Sequence, residues 1–239
     1  MTFTVEAALD DHVAALEIPR LPDGKWHPSS IFGCDRKAIY EVRGTTPTNP
    51  PNAGSRRTFR IGHIFHSFLQ DAVAAKVGTA ILRAYAEVPV NLPRLNITGH
   101  ADGLVEHDNG AWELLEYKTT KEAGMARGLP KDDHVWQAFS YMAALREAGS
   151  PEHGIPPLGD SLSRARIAYI AKETMRVSES LIFWSQDRQD ELEATVARLD
   201  TYRADGVALP PRLPISGGRK HWLCSYCSFA TRCWEADKE

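Results

Sequence analysis

Two carboxylates and a lysine face each other across one turn of this 239-residue chain: Asp102 in GHADGLVEHD, then Glu116 and Lys118 in AWELLEYKTT. Between them Asp108-Asn109-Gly110 has the make-up of a three-residue hairpin loop, with Gly110 able to take the left-handed conformation such loops want. Counting outward, Asp102 lies five residues before His107 and Glu116 five after Ala111, which sets them opposite each other on one face. A two-residue loop would put them on opposite faces. Lys118 lies two residues beyond Glu116 and shares its face in either register. Converging carboxylates repel unless a cation lies between them, and Mg²⁺ or Mn²⁺ suits oxygen ligands. An ion so held polarises a phosphodiester and helps generate hydroxide, while Lys118 can orient that water or stabilise the charged transition state. The alternative is a surface hairpin whose Glu and Lys form a weak cross-strand pair. Leu114, Leu115 and Tyr117 argue against it, because a half-buried strand rarely keeps unpaired charges without cause.

The second constellation is made of the chain's four cysteines. Cys34 stands alone, while Cys224, Cys227 and Cys233 read Cys-x2-Cys-x5-Cys. One inorganic centre on all four would clamp the two ends of the chain together. No run approaches the roughly 20 apolar residues of a membrane span, and MTFTVEAALDD lacks the basic-then-apolar pattern of a secretory leader. The expected location is therefore cytoplasmic, where clustered thiols bind metal more often than they form disulfides. Four thiolates suit either tetrahedral zinc or a [4Fe–4S] cluster. The nearby aromatics Trp222, Tyr226, Phe229 and Trp234 are expected to shield such a centre, with stacking on nucleic-acid bases as the other option.

A net charge of −3 does not advertise a nucleic-acid binder, but phosphate contact depends on local basic groups. Arg36 and Lys37 adjoin Cys34, Arg219 and Lys220 precede Cys224, and Arg56, Arg57 and Arg60 form a third group. The expectation is a basic groove leading single-stranded DNA to the acidic residues; scattered solvated charge is the competing account of each group.

These residues need elements to position them. Helices are expected at 29–42 and 58–77, the second with Ile61, Phe65, Phe68, Leu69 and Ala72 on one face. Extended runs follow at 80–91, 95–106 and 111–119. A helix at 132–148, capped by Asp132 or Asp133, repeats Val135, Ala138, Phe139, Met142 and Leu145 at helical spacing. Strands at 165–172 and 176–184 and a helix at 187–204 complete the order, and segment 43–57 reads as a mobile loop. The fold class is mixed α/β (α+β), a mixed sheet flanked by helices. No Walker-type Gly-rich loop is present, so any unwinding would need another protein.

Taken together, these motifs resemble the PD-(D/E)XK nuclease superfamily, and within it the RecB-like and CRISPR-associated iron–sulfur exonucleases. The likeness lies in Asp102, Glu116 and Lys118 with Gly99 before them, in His66 of GHIFHSFL, in Gln137-x3-Tyr141 of HVWQAFSYMAAL, and in the cysteine spacing. Ala101 stands where the family has its leading Pro. The resemblance implies a restriction-endonuclease-like core and a metal-dependent DNA exonuclease acting in recombination, repair or spacer acquisition. The alternatives are an endonuclease of the same fold or a partner-dependent DNA-binding subunit. Helicase, recombination or CRISPR adaptation proteins would be its partners. It implies His66, Asp102, Glu116 and the carbonyl of Tyr117 as ligands of Mn²⁺ or Mg²⁺, the imidazole leaning towards Mn²⁺. It also favours iron–sulfur over zinc on the four cysteines. From the residues alone, His66 reads as a core histidine beside Phe65 and Leu69. Gln137 and Tyr141 could touch DNA, orient Lys118, or form a plain helix-surface pair. One nuclease domain over 1–239 is expected: a helical part at 29–80 bearing Cys34, a core at 81–205, and a cluster-binding segment at 206–239.

Overall fold

The computed structural model describes residues 4–16 and 22–235. Five strands lie side by side in chain order: β1 (Arg83–Leu92), β2 (Ile97–Glu106), β3 (Trp112–Thr120), β4 (Leu162–Ala171) and β5 (Val177–Phe183). The helices are α1 (Val5–Ala15), α2 (Pro28–Ile31), α3 (Asp35–Val42), α4 (Ala53–Ala74), α5 (Asp132–Ala148), α6 (Gln186–Asp205) and α7 (Ala230–Glu235). β1, β2 and β3 form an antiparallel meander, β4 runs parallel to β3, and β5 returns antiparallel. The parallel step needs a crossover, and α5 supplies it.

The two sheet faces are unequal. One carries the main core, where Leu104, Leu114, Ala165, Ile167 and Ile182 meet Phe139, Met142 and Leu145 of α5 and Leu192, Val196 and Leu199 of α6. The other holds a small cluster of Val105, Leu115, Tyr117 and Ala168, against which Leu69 and Val73 of α4 pack. Glu113 is buried and is satisfied by ion pairs with Arg164 and Arg166.

Most elements fall close to their expected places, and the exceptions have local causes. The helix expected at 29–42 breaks in two around Gly33 and Cys34, where Cys34 sits extended as the N-cap of α3. The loop expected through 57 ends early, because the Asn52 side chain accepts from the Ser55 N–H at 2.9 Å and starts α4 at Ala53. No residue of α4 is fully buried, so the expected apolar face does not form a core; Ile61 and Phe68 are exposed. In α5 all five expected core residues are buried, but its N-cap is Lys131. Asp132 and Asp133 lie in the first turn instead, where carboxylates favour the positive end of the helix dipole.

β1 and β2 share one irregularity. In β1, Tyr85 packs on the main core and Ala84 on the smaller cluster, yet beyond Glu87 it is Val88, Val90 and Leu92 that enter the main core. β2 makes the same change of parity between Ala101 and Leu104. Glu87, with φ of 48°, absorbs the step in the left-handed region, where a residue with a Cβ is strained. Opposite it in register lies Asp102.

Candidate active site and cysteine cavity

The turn at 108–110 closes as the count from the sequence requires: the His107 N–H donates to the Ala111 carbonyl at 2.8 Å, and Glu106 pairs with Trp112. The β2–β3 ladder continues to Gly103 and Leu115 and stops there. β3 goes on beside β4 as far as Thr120, so β2 and β3 part in a fork at Asp102 and Glu116. Asp102 bridges that fork: one carboxylate oxygen, Oδ2, accepts from the Tyr117 N–H at 2.7 Å. Its other oxygen lies 3.4 Å from Nδ1 of His66, which α4 brings across the sheet edge. The His66 ring meets the edge of Tyr117 with centroids 5.9 Å apart.

Glu116 is 1% exposed, and Lys118 Nζ donates to its Oε1 at 2.6 Å. The same ammonium donates to Gln137 Oε1 at 3.0 Å, and Gln137 Nε2 in turn donates to the Tyr141 hydroxyl at 3.3 Å. Gln137 and Tyr141 are thus a brace behind Lys118. Gly99 makes room for that brace, since a Cβ there would stand 2.8 Å from the Tyr141 ring. The second oxygen of Glu116, Oε2, is buried with no hydrogen-bond partner.

Burial pushes the Glu116 carboxyl up to about 7; Lys118 opposes that rise and the Asp102 charge adds to it. Burial works against the Lys118 charge too, but Glu116 and Asp102 outweigh it and hold its pKa above the ordinary lysine value. His66 also loses solvent, yet its hydrogen bond to Asp102 raises its pKa.

Four residues at the fork carried no signal in the sequence. Gln70 of α4 donates to the Asp102 carbonyl at 3.0 Å and to Glu87 at 2.8 Å, tying down the β1–β2 irregularity. His134 Nδ1 lies 2.7 Å from the Tyr169 hydroxyl, which also accepts from the Lys131 N–H at 3.0 Å. Burial first, and then the charge of Lys118, depress His134 to about 4. Only the i,i+3 spacing of His134 and Gln137 could have hinted that they are neighbours on α5.

The four cysteines line one cavity of about 150 Å³, together with Arg36, Lys37, Tyr40 and Trp234. Burial raises the Cys34 thiol, and the neighbouring Cys227 and Cys233 add to the rise. Cys227 Sγ accepts from the Phe229 N–H at 3.4 Å. Among the described residues no three His, Cys, Asp or Glu side chains are closed to metal-ligating spacing. The expected shielding divides: Trp234 and Tyr226 line the cavity, though Tyr226 is 82% exposed, Phe229 is buried beside it, and Trp222, 56% exposed, lies outside the lining.

The basic residues have varied surroundings. Arg36 donates to the Pro210 carbonyl at 2.7 Å, Lys37 pairs with Glu41 at 3.5 Å, and Lys220 lies 4.5 Å from the Trp234 ring centre. Arg57 is held by Glu6 and Asp10 of α1. Arg56 lines a cleft with Phe59, Arg60 and His63, and Arg60 carries no ion pair among the described residues. Arg219 sits in an exposed turn, its N–H bonded to the Ser216 carbonyl at 3.0 Å.

A CRISPR-associated exonuclease Cas4 from Saccharolobus solfataricus is 23% identical over 236 residues, 97% of this chain and 96% of the relative. The crystal structure of SSO0001 superposes with a TM-score of 0.55 at 21% identity, covering 95% of this chain and 92% of the other. An alkaline exonuclease from Laribacter hongkongensis gives 0.53 at 14% identity, over 82% and 93%. Residues 74–234, from the end of α4 through α7, match the family model, and the chain belongs to the PD-(D/E)XK nuclease superfamily.

Proposed function

We propose that this DNA nuclease is a metal-dependent exonuclease that hydrolyses phosphodiester bonds of single-stranded or end-frayed DNA, in recombination, repair or CRISPR spacer acquisition. The observation that carries the reading is the fork itself: Asp102 on one strand pairs with His66, and Glu116, opposite it in register on the other, pairs with Lys118. Glu116 Oε2, buried and unpartnered, fits a site that receives a cation. His66, Asp102, Glu116 and the Tyr117 carbonyl would hold Mn²⁺ in preference to Mg²⁺. Such an ion, when bound, supplies Lewis-acid polarisation of the phosphate and a more acidic water.

The chain's own residues do the rest. Lys118, kept charged by Glu116 and steadied by Gln137 and Tyr141, orients the attacking water and stabilises charge on the phosphoryl oxygens. Water oxygen bonds to phosphorus, the bond to the leaving oxygen breaks, and a proton passes to that oxygen. His66 is aligned by Asp102, and Asp102 by the Tyr117 N–H, which limits how far either must move when an ion and substrate bind.

Cys34, Cys224, Cys227 and Cys233 hold a [4Fe–4S] cluster in this reading, and the convergence of all four on one cavity supports it. Residues 29–80, 81–205 and 206–239 then work as one domain, joined by that cluster. The relative's printed name, a CRISPR-associated exonuclease, favours the same role here, with a helicase, recombination or CRISPR adaptation protein as partner.

The test uses anaerobically purified wild type beside Glu116→Ala, with Mn²⁺, on end-labelled linear and on circular single-stranded DNA. Loss of linear DNA by the wild type alone, with circles spared, is the expected result. Cut circles would make the enzyme an endonuclease, and equal activity in both proteins would move the chemistry elsewhere. Iron and sulfide analysis decides between iron–sulfur and zinc.

A further inference from the structure

We infer that Trp222 and Lys131 form a binding step for single-stranded nucleic acid on its way to the fork, with a base stacked on the indole and a phosphate held by the ammonium. The inference rests on the nuclease reading above and assigns the cysteine-rich segment a substrate contact as well as a clamp.

Trp222 opens the short turn Trp222–Tyr226, within which Cys224 lies. An indole is among the largest apolar surfaces a chain can bury. The same segment buries Phe229 beside Tyr40, ring centres 5.2 Å apart, yet leaves Trp222 56% exposed. Lys131 Nζ stands 5.7 Å from the indole centre, and this ammonium is exposed as well. An exposed aromatic face beside a mobile cation is the pair that single-strand binders use: the base supplies a π-face whatever its sequence, and the phosphate supplies the charge.

Position makes the pair more than a surface accident. Lys131 immediately precedes α5, and its N–H is bonded to the hydroxyl of Tyr169, which also meets His134. Six residues on, Gln137 holds Lys118. Lys131, His134 and Gln137 advance about 4.5 Å at each step along the helix. The indole and its ammonium thus stand at the N-terminal end of the helix whose Gln137 holds the Lys118 of the fork.

The experiment compares wild type, Trp222→Leu and Trp222→Phe on two substrates: a single-stranded oligothymidylate, and a chromogenic thymidine phosphodiester too short to leave the fork. Iron content is measured in each protein. Trp222→Leu is expected to raise KM for the oligonucleotide about 10-fold with kcat and iron unchanged, as loss of one stacked base predicts. Trp222→Phe should restore most of that loss, and the chromogenic KM should not move. Lys131→Ala should lower the salt dependence of oligonucleotide binding by about one phosphate contact. An unchanged oligonucleotide KM in Trp222→Leu overturns the inference. So does a parallel rise for the chromogenic diester, which would place the effect in the fold or the fork. A wild type that cleaves neither substrate removes the nuclease reading, and this inference with it.

Discussion

His134 feels the charge of Lys118 and is buried against Tyr169, so it folds as the neutral imidazole. Its pKa falls from the ordinary 6.5 to about 4. Between those values the unfolded chain binds a proton that the folded chain refuses. Stability therefore rises with pH across that window and is lost as pH falls from 6.5 to 4, by about 3 kcal/mol when complete. His134→Gln keeps a polar partner for Tyr169 and removes the titration. Denaturant unfolding at the two ends of the window should show the wild type losing more stability than the variant; equal losses would mean that the imidazole charges freely in the fold. At this same scale the sequence reveals Asp102, Glu116 and Lys118, because turn chemistry fixed their register within a few residues. It does not reveal His134, Tyr169, Gln70 or Glu87, whose partners lie on other elements. Glu87 is the hardest to see: a strained left-handed position invites glycine, and this chain places a glutamate there. Gly99 is the opposite case, a glycine whose reason lies 42 residues away in the ring of Tyr141.

At the scale of elements, α4 departs furthest from expectation and does the most for the site. Its periodic apolar residues suggest a core helix, but it lies on the thinly covered face of the sheet, with Leu69 and Val73 as its main apolar contacts there. What it delivers instead is polar: His66 to Asp102, and Gln70 to the irregularity between β1 and β2. Periodicity reports which face is apolar; it does not report how much of that face finds a partner. α1 packs on α4 and fastens it through Glu6 and Asp10 to Arg57. That engagement splits the arginine group by role. Arg57→Ala should lower stability only slightly, as loss of surface ion pairs does, and leave the salt dependence of DNA binding unchanged. Arg60→Ala should leave stability alone and reduce the slope of log K against log salt by about one phosphate contact. Titrations of a labelled single strand across salt concentrations measure both, and a flattened slope in Arg57→Ala would put that side chain on DNA after all.

Across the whole molecule, the chain after α6 depends on its ties to the N-terminal helices. Between Gly206 and His221 it forms no helix; Arg36 fastens it at Pro210 and Arg43 at Ala208, Arg43 also reaching the Tyr202 carbonyl of α6, while Arg212 ties the segment to itself at Cys233. A second set of bonds joins Thr48 and Asn49 to Ser228 and Thr231. Each is a single hydrogen bond, worth about 1 kcal/mol where both partners are neutral and about 2 kcal/mol where an arginine donates. A cluster on the four cysteines would be stronger by far, since closing so long a loop removes on the order of 5 kcal/mol of unfolded-chain entropy. Loss of the cluster should then loosen the terminal segment before the sheet, whose core between β2, β3, β4 and α5 owes nothing to it. Cys34→Ser tests the division of labour because Cys34 is the one cysteine outside the terminal segment. Limited proteolysis should nick that variant between residues 206 and 221, releasing a short C-terminal piece, while fragments spanning β1 to β5 persist. Early cuts within the sheet would show that the clamp supports the core itself, and a pattern identical to the wild type would show that the hydrogen bonds suffice without it.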